Sequence, residues 1–93
     1  MKTLSLVLKK KWYDMIASGE KTEEYREIKP YWVKRMQNCR DRHYDAVTFH
    51  LGYAKDRPTM TFVLDKITIG RGRAEWGAEE GNLYFVIHLG KRL

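Results

Sequence analysis

Apolar and polar residues alternate in several short stretches of the chain, and a period of two predicts β-strands. The clearest stretch is the last, in which Leu83, Phe85, Ile87 and Leu89 are predicted to point inward. A mainly polar stretch after Gly19 is also predicted to be extended, because that glycine fits the end of a helix. The five predicted strands cover residues 3–8, 21–28, 44–51, 59–69 and 83–89.

Two other stretches have the spacing of amphipathic helices. Residues 9–18 precede Gly19, and Pro30 fits the first position of a second helix. The apolar stripes consist of Trp12, Met15 and Ile16 in the first helix and of Trp32, Val33 and Met36 in the second. Both tryptophans are therefore predicted to be core residues.

The predicted strand at 59–69 changes phase. Met60, Phe62 and Leu64 share one parity, whereas Ile67 and Ile69 have the other. One extra residue near position 65 would restore the alternation, and such a bulge lets a sheet curl. The order β-α-β-α-β-β-β in 93 residues predicts one α+β domain, residues 1–93, built as a small barrel of about five strands with two to three short helices.

The charge is strongly positive and uneven. The formal net charge is +6, and residues 1–43 hold 11 basic and 6 acidic residues, a net charge of +5. A basic half suggests a polyanionic partner, of which nucleic acid is the commonest. The alternative is that many small basic proteins bind nothing specific.

Several classes of function receive no support from the sequence. Cys39 is the single cysteine, so no internal disulfide can form, which fits a reducing, cytoplasmic setting. The histidines at 43, 50 and 88 lack the spacing of a metal site, and we expect neither a metal nor a cofactor. The apolar run at 4–8 is too short for a membrane span.

The segment Gly19–Arg26 is the densest group of candidate functional residues. On a strand, its side chains would alternate between two faces. Thr22, Glu24 and Arg26 would share one face, and Lys21, Glu23 and Tyr25 the other. This pattern predicts either a polar recognition strand or a charged edge strand exposed to solvent.

Aromatic and basic residues in later loops are further candidates. Trp76 lies in a loop bounded by glycines, where it could cap the barrel or form one wall of a pocket that stacks a base. Glu75 beside it could accept hydrogen bonds from an amine. Tyr53 is a candidate for stacking, and Arg71 and Arg73 are candidate nucleic-acid- or ligand-binding residues.

The run Gly19-x-Lys21-Thr22-x-Glu24-x-Arg26, placed after a helix that contains Trp12 and Ile16, resembles the signature of the ASCH family. The β-rich C-terminal half, with Ile69-Gly70 and a closing strand that ends at Leu89-Gly90, is also similar to that family. The resemblance implies a PUA-like β-barrel with a cleft near the motif. It also implies binding of RNA or of single, often modified, nucleobases.

The resemblance implies two enzymatic activities as well. Some members of the family are similar to amidohydrolases that deacetylate N4-acetylcytidine, and others have been proposed as ribonucleases. Lys21 and Arg26 match the family lysine and arginine. The position of the hydrolase threonine, two residues before the arginine, holds Glu24 here, while Thr22 lies two residues earlier.

Three hypotheses follow from the residues and the resemblance. The first is a monomeric RNA- or nucleoside-binding domain without a membrane partner. Its binding residues would be Lys21, Thr22, Glu24, Arg26, Tyr53, Arg71, Arg73 and Trp76. The second is a small hydrolase with Lys21, Glu24 and Glu75 as catalytic residues. The third is a protein-interaction domain whose cleft is filled by its own side chains.

Overall fold

The computed structural model describes residues 2–37 and 44–93. Residues 38–43, which the sequence predicts to be a basic loop that includes Cys39, lie outside this part. The strands are β1 (Thr3–Leu8), β2 (Glu23–Glu27), β3 (Ala46–Leu51), β4 (Thr59–Gly70) and β5 (Tyr84–Arg92). The helices are α1 (Lys10–Ala17), α2 (Pro30–Gln37) and a 3-10 turn at Ala74–Trp76. None of the described helices is long and apolar enough to span a membrane.

The five strands form one curled sheet in the order β1-β3-β4-β5-β2. β1 pairs with β3 in parallel, and the other pairs are antiparallel. The predicted α+β class and the barrel-like sheet are confirmed. The sheet is a half-barrel, because β1 and β2 are its two edges and do not pair with each other.

The main core lies on the concave face of this sheet. Strands β1, β3, β4 and β5 direct alternate apolar residues inward, and both helices pack against them. The buried core residues include Leu4, Leu6, Leu8, Ile16, Met36, Val47, Phe49, Met60, Phe62, Phe85 and Ile87. The alternation in the sequence therefore predicted this face correctly.

The predicted irregularity in β4 is confirmed. The register of β4 against β5 shifts between Phe62 and Leu64 and again between Leu64 and Lys66. β4 pairs with β3 from Thr59 to Val63 and with β5 from Phe62 to Gly70, so the two ladders overlap at Phe62. The bulge thus lets one long strand serve both halves of the curled sheet.

The convex face of β5 carries a second, smaller core that the sequence did not predict. Tyr84 and Val86 are buried, although their parity is opposite to that of Phe85 and Ile87. The loop between β4 and β5 covers this face, and its Trp76 and Ala78 are buried as well. Leu83 was predicted to point inward, but it is 56% exposed because β5 begins one residue later.

The polar strand begins later than predicted. β2 starts at Glu23, and Lys21 precedes it with its backbone N–H donated to the carbonyl of Met15 at 3.0 Å. Alternation along a strand therefore does not apply to Lys21. The prediction that Lys21 and Glu24 lie on opposite faces is wrong, because the two side chains are in direct contact.

Candidate functional site

Lys21, Glu24 and Arg26 form a chain of charges that we call the buried ion chain. The Lys21 ammonium donates to Glu24 Oε1 at 2.8 Å, and Arg26 Nη2 donates to Glu24 Oε2 at 2.9 Å. Lys21 is 2% exposed and Glu24 is 5% exposed. Buried charges are stable only when they are paired and hydrogen-bonded, and here one carboxylate satisfies two cations.

The surroundings of Lys21 leave little space around its ammonium group. Besides Glu24, it donates to the backbone carbonyl of Trp76 at 2.8 Å. Its nitrogen also lies 4.6 Å from the centre of the Trp12 ring and 5.5 Å from that of Tyr25. Lys21 thus connects α1, β2 and the loop between β4 and β5, and both of these rings are fixed against it.

Arg26 joins the two edges of the half-barrel. Its Nη2 donates to the carbonyl of Val7 in β1 at 3.2 Å, so a side chain links the strands where no backbone ladder does. The guanidinium lies 5.1 Å from the centre of the Trp32 ring. Its Nε is buried and has no hydrogen-bond partner among the described residues.

A cleft of about 460 Å³ lies beside the buried ion chain, and we call it the aromatic cleft. Its walls contain four aromatic side chains, and its remaining lining is mostly polar. The aromatic residues are Trp12, Tyr25, Trp76 and Tyr84, and the polar side chains are Glu27, Lys29, Glu79 and Asn82. Its volume falls within the range of small-molecule sites, and rings with a few polar groups are typical of their lining.

Two exposed cations lie over the tryptophans of the aromatic cleft. Lys11 Nζ is 4.7 Å from the centre of the Trp12 ring, and the Arg73 guanidinium is 4.7 Å from that of Trp76. We call Lys11 and Arg73 the tryptophan cations. Exposed contacts of this kind contribute about 0.5–1 kcal/mol, so either side chain can leave its ring at low cost.

Tyr25 connects the sheet to the covering loop. Its hydroxyl donates to Glu23 Oε1 at 2.8 Å and accepts the backbone N–H of Arg73 at 3.0 Å. Burial, together with the carboxylate of Glu23, raises the pKa of Tyr25 to about 12. The phenol therefore stays protonated at neutral pH and continues to donate to Glu23.

A larger cavity of about 930 Å³ lies between α2 and the concave side of β4. Its walls are mainly apolar and include Val33, Ile67 and Phe85. None of the site residues predicted from the sequence lines it. No group of three His, Cys, Asp or Glu side chains in the described part of the chain is placed to hold a metal ion.

The structure brings together five of the predicted site residues. Lys21, Glu24, Arg26 and Trp76 are connected through the contacts above, and Arg73 lies over Trp76. The other predicted residues are exposed and do not line the aromatic cleft. They are Thr22, Tyr53, Arg71 and Glu75.

The sequence missed several residues of the cleft. Trp12 was predicted to be core, yet it is only partly buried, contacts Lys11 and Lys21 and lines the cleft. Tyr25 and Tyr84 were not candidates, because their positions on neighbouring strands become adjacent only after pairing, with ring centres 5.8 Å apart. The Lys11-Trp12 pair was the one local signal for this site.

No protein-family model and no curated protein matches this chain. The fold and the geometry of the site therefore carry the functional conclusions below.

Proposed function

We propose that this chain is an RNA- or nucleoside-binding domain of the ASCH, PUA-like kind that holds a base in the aromatic cleft. The observation that carries the proposal is the group of four aromatic side chains beside the Gly19–Arg26 motif, on a chain of net charge +6. Proteins that bind single-stranded nucleic acids combine aromatic platforms with positive charge in this way.

The lining of the cleft supplies both kinds of contact that a base needs. Stacking on an aromatic ring contributes about 1–3 kcal/mol per base. Glu27 and Glu79 offer carboxylate oxygens, and the Asn82 amide lies 3.2 Å from Glu79 Oε2. These groups would accept hydrogen bonds from amino and ring N–H groups of the base.

The buried ion chain would act as the rigid support of this cleft. Lys21 contacts the rings of Trp12 and Tyr25 and the backbone of Trp76, so one side chain fixes three walls of the site. Walls that are already in place lower the entropy cost of binding. Lys21 and Glu24 would thus contribute to binding through the aromatic residues that they hold.

The hydrolase that the resemblance also implies stays a prediction, and the geometry favours binding. The Lys21 ammonium is enclosed by Glu24, Trp76 and two rings, which leaves little room for a substrate atom. Glu75 does not line the cleft. We expect the domain to act as a cytoplasmic monomer without a cofactor.

Titration with nucleosides and short RNA at low salt, followed by tryptophan fluorescence, tests the proposal. The four common nucleosides, N4-acetylcytidine and single-stranded oligonucleotides serve as ligands. We expect Trp12→Leu to lower the affinity by about 1–3 kcal/mol, because a stacking face is lost. The affinity of Trp12→Phe, which keeps an aromatic ring, should lie between those of Trp12→Leu and the wild type.

The matched control is Tyr31→Leu, which removes an aromatic ring that is 63% exposed on α2 and does not line the cleft. Thermal unfolding of each variant shows whether the fold is intact. Binding of none of these ligands, or equal binding by folded Trp12→Leu and the wild type, would overturn the proposal. Release of acetate from N4-acetylcytidine would instead support the hydrolase.

A further inference from the structure

We infer that the aromatic cleft takes a base that belongs to a single-stranded nucleic acid, with Lys11 and Arg73 in contact with the phosphates on either side of it. This inference rests on the proposed function and goes one step beyond it. It specifies that the ligand is a polynucleotide and not a free nucleoside.

The first observation is the placement of the two tryptophan cations. Lys11 belongs to α1 and Arg73 to the loop after β4, yet each lies 4.7 Å from the centre of a tryptophan ring that lines the same cleft. The two cations therefore lie beside two different walls of the cleft. A base held between these walls would have a positive charge near each of them.

The second observation is the charge balance of these side chains. Neither Lys11 nor Arg73 has an ion pair within the described ranges, and both are exposed. Their neighbours differ, because Lys10 pairs with Asp14 at 2.6 Å and Lys29 pairs with Glu27 at 3.0 Å. Other exposed cations, such as Arg71 and Lys91, also lack an ion pair among the described residues, but Lys11 and Arg73 combine this with a position over the tryptophans of the cleft.

A free nucleoside offers these cations no partner, whereas a strand carries a phosphate on each side of every internal base. The cations could leave the rings for the phosphates when a base stacks in their place. Each phosphate that is neutralised releases counterions, which makes the affinity depend on salt with a slope of about 0.7 per contact for single strands.

The same cleft argues against a duplex as the ligand. Its volume of about 460 Å³ suits a single base or nucleoside, so the base must leave its stack to enter. Unpaired bases do so at the lowest cost, and for that reason sequence-reading RNA modules act mainly on single strands.

The test compares three kinds of probe on the full chain: free nucleosides, single-stranded oligonucleotides of about eight residues in RNA and DNA form, and a duplex of the same length. Fluorescence anisotropy of labelled oligonucleotides at several salt concentrations gives the salt slope. We expect single strands to bind at least about tenfold more tightly than the nucleoside at low salt. The RNA and DNA arms show whether the 2′-hydroxyl contributes.

The variants Lys11→Gln and Arg73→Gln each remove one cation. Each should lower the ratio of single-strand affinity to nucleoside affinity roughly threefold and reduce the salt slope by about 0.7. The matched controls are Lys10→Gln, one residue away and paired with Asp14, and Lys91→Gln on β5. Both controls should leave the slope unchanged.

Each other outcome overturns the inference. If nucleosides bind as tightly as single strands, or if the duplex binds as tightly, the inference fails while the proposed function stands. An unchanged salt slope in a folded Lys11→Gln/Arg73→Gln double variant, or the same slope change in the controls, also overturns the inference while the proposed function stands. If neither nucleosides nor oligonucleotides bind, both proposals fail.

Discussion

The buried ion chain and the tryptophan cations each place a lysine over the Trp12 ring, in opposite environments. Trp12 has Lys21 at 4.6 Å and Lys11 at 4.7 Å from its ring centre. The Lys21 side chain is 1% exposed and held by Glu24 and a backbone carbonyl, whereas Lys11 is exposed and has no ion pair within the described ranges. The two residues are of the same type and differ in how deeply each is buried.

This difference has a physical consequence. A buried ammonium has lost its water, so its position is fixed by the groups that replace that water. An exposed ammonium keeps its hydration and gains little from any one contact, so it can exchange a ring for a phosphate. The first arrangement stabilises the fold, and the second is available to a ligand.

The largest expected effect comes from breaking the buried ion chain. Lys21→Met leaves the Trp76 carbonyl without its donor and removes one of the two cations from Glu24. We expect the free energy of unfolding in urea to fall by about 3–5 kcal/mol, the cost of losing one partner of a buried pair.

The control for this variant is Lys10→Met, which breaks the exposed pair with Asp14 and should cost about 0.5 kcal/mol or less. If Lys21→Met proves unfolded, Lys21→Met/Glu24→Leu should recover part of the loss, because no buried carboxylate is left on β2. Equal stability of the Lys10 and Lys21 variants would remove the distinction between the two groups of cations.

A smaller effect is expected where the loop that carries Arg73 covers the sheet. A Cβ atom at Gly72 would lie 2.6 Å from both the Cβ of Ala78 and the Cζ of Tyr25. Gly72→Ala should therefore displace the loop and lower the free energy of unfolding by about 1–3 kcal/mol.

Gly70→Ala is the matched control, because a Cβ there would have its nearest contact, with Val86 Cγ2, at 4.0 Å. This variant should be as stable as the wild type within about 0.5 kcal/mol. Thermal unfolding followed by circular dichroism measures both. A Gly72→Ala protein as stable as Gly70→Ala would show that the loop does not pack closely on Tyr25.

The smallest effect is expected at Tyr25, which contacts both Lys21 of the buried ion chain and the backbone of Arg73. Its pKa is raised from 10.0 to about 12, mainly by burial, so its contribution to stability is complete below pH 10 and is lost as pH rises towards 12. Tyr25→Phe should be less stable than the wild type at pH 8. The difference between their free energies of unfolding should decrease by on the order of 1 kcal/mol between pH 8 and pH 12. This figure is reduced because the ring is partly exposed to solvent.

Urea unfolding at pH 8, 10 and 11 measures this narrowing. The control is Tyr53→Phe, in a ring that is 84% exposed, and its small effect on stability should not change with pH. A constant gap between Tyr25→Phe and the wild type across this range would contradict the burial of the phenol under the loop.

Much of the fold could be predicted from the sequence because its signals are local. The alternation in β1 and β5, Pro30 at the start of α2 and Gly19 after α1 each depend on a few neighbouring residues. The phase change in β4 was also visible, since a bulge shifts the alternation within one strand. The second core on β5 was not, because it depends on a loop that folds back and donates the Glu79 backbone N–H to the Tyr84 hydroxyl.

The candidate site was predicted in part for the same reason. Glu24 and Arg26 lie two residues apart on one strand, so their contact was a local expectation, whereas the contact of Lys21 with Glu24 was not. The burial of these residues was not expected either, because it requires the backbone of Trp76 and the gap between two edge strands. Trp12 and Tyr84 come together across long stretches of chain, and no local pattern marks such a pair.

The sequence alone determined the fold class of this protein, because its strands, helices and bulge follow from the spacing of apolar residues. Its basic charge follows from its composition. The tertiary structure decided which charges are buried and which are exposed, since that depends on the atoms that replace water around each side chain. Lys11 and Lys21 show the difference. Both are lysines near one tryptophan, but only Lys21 has a carboxylate and a carbonyl in place of its water.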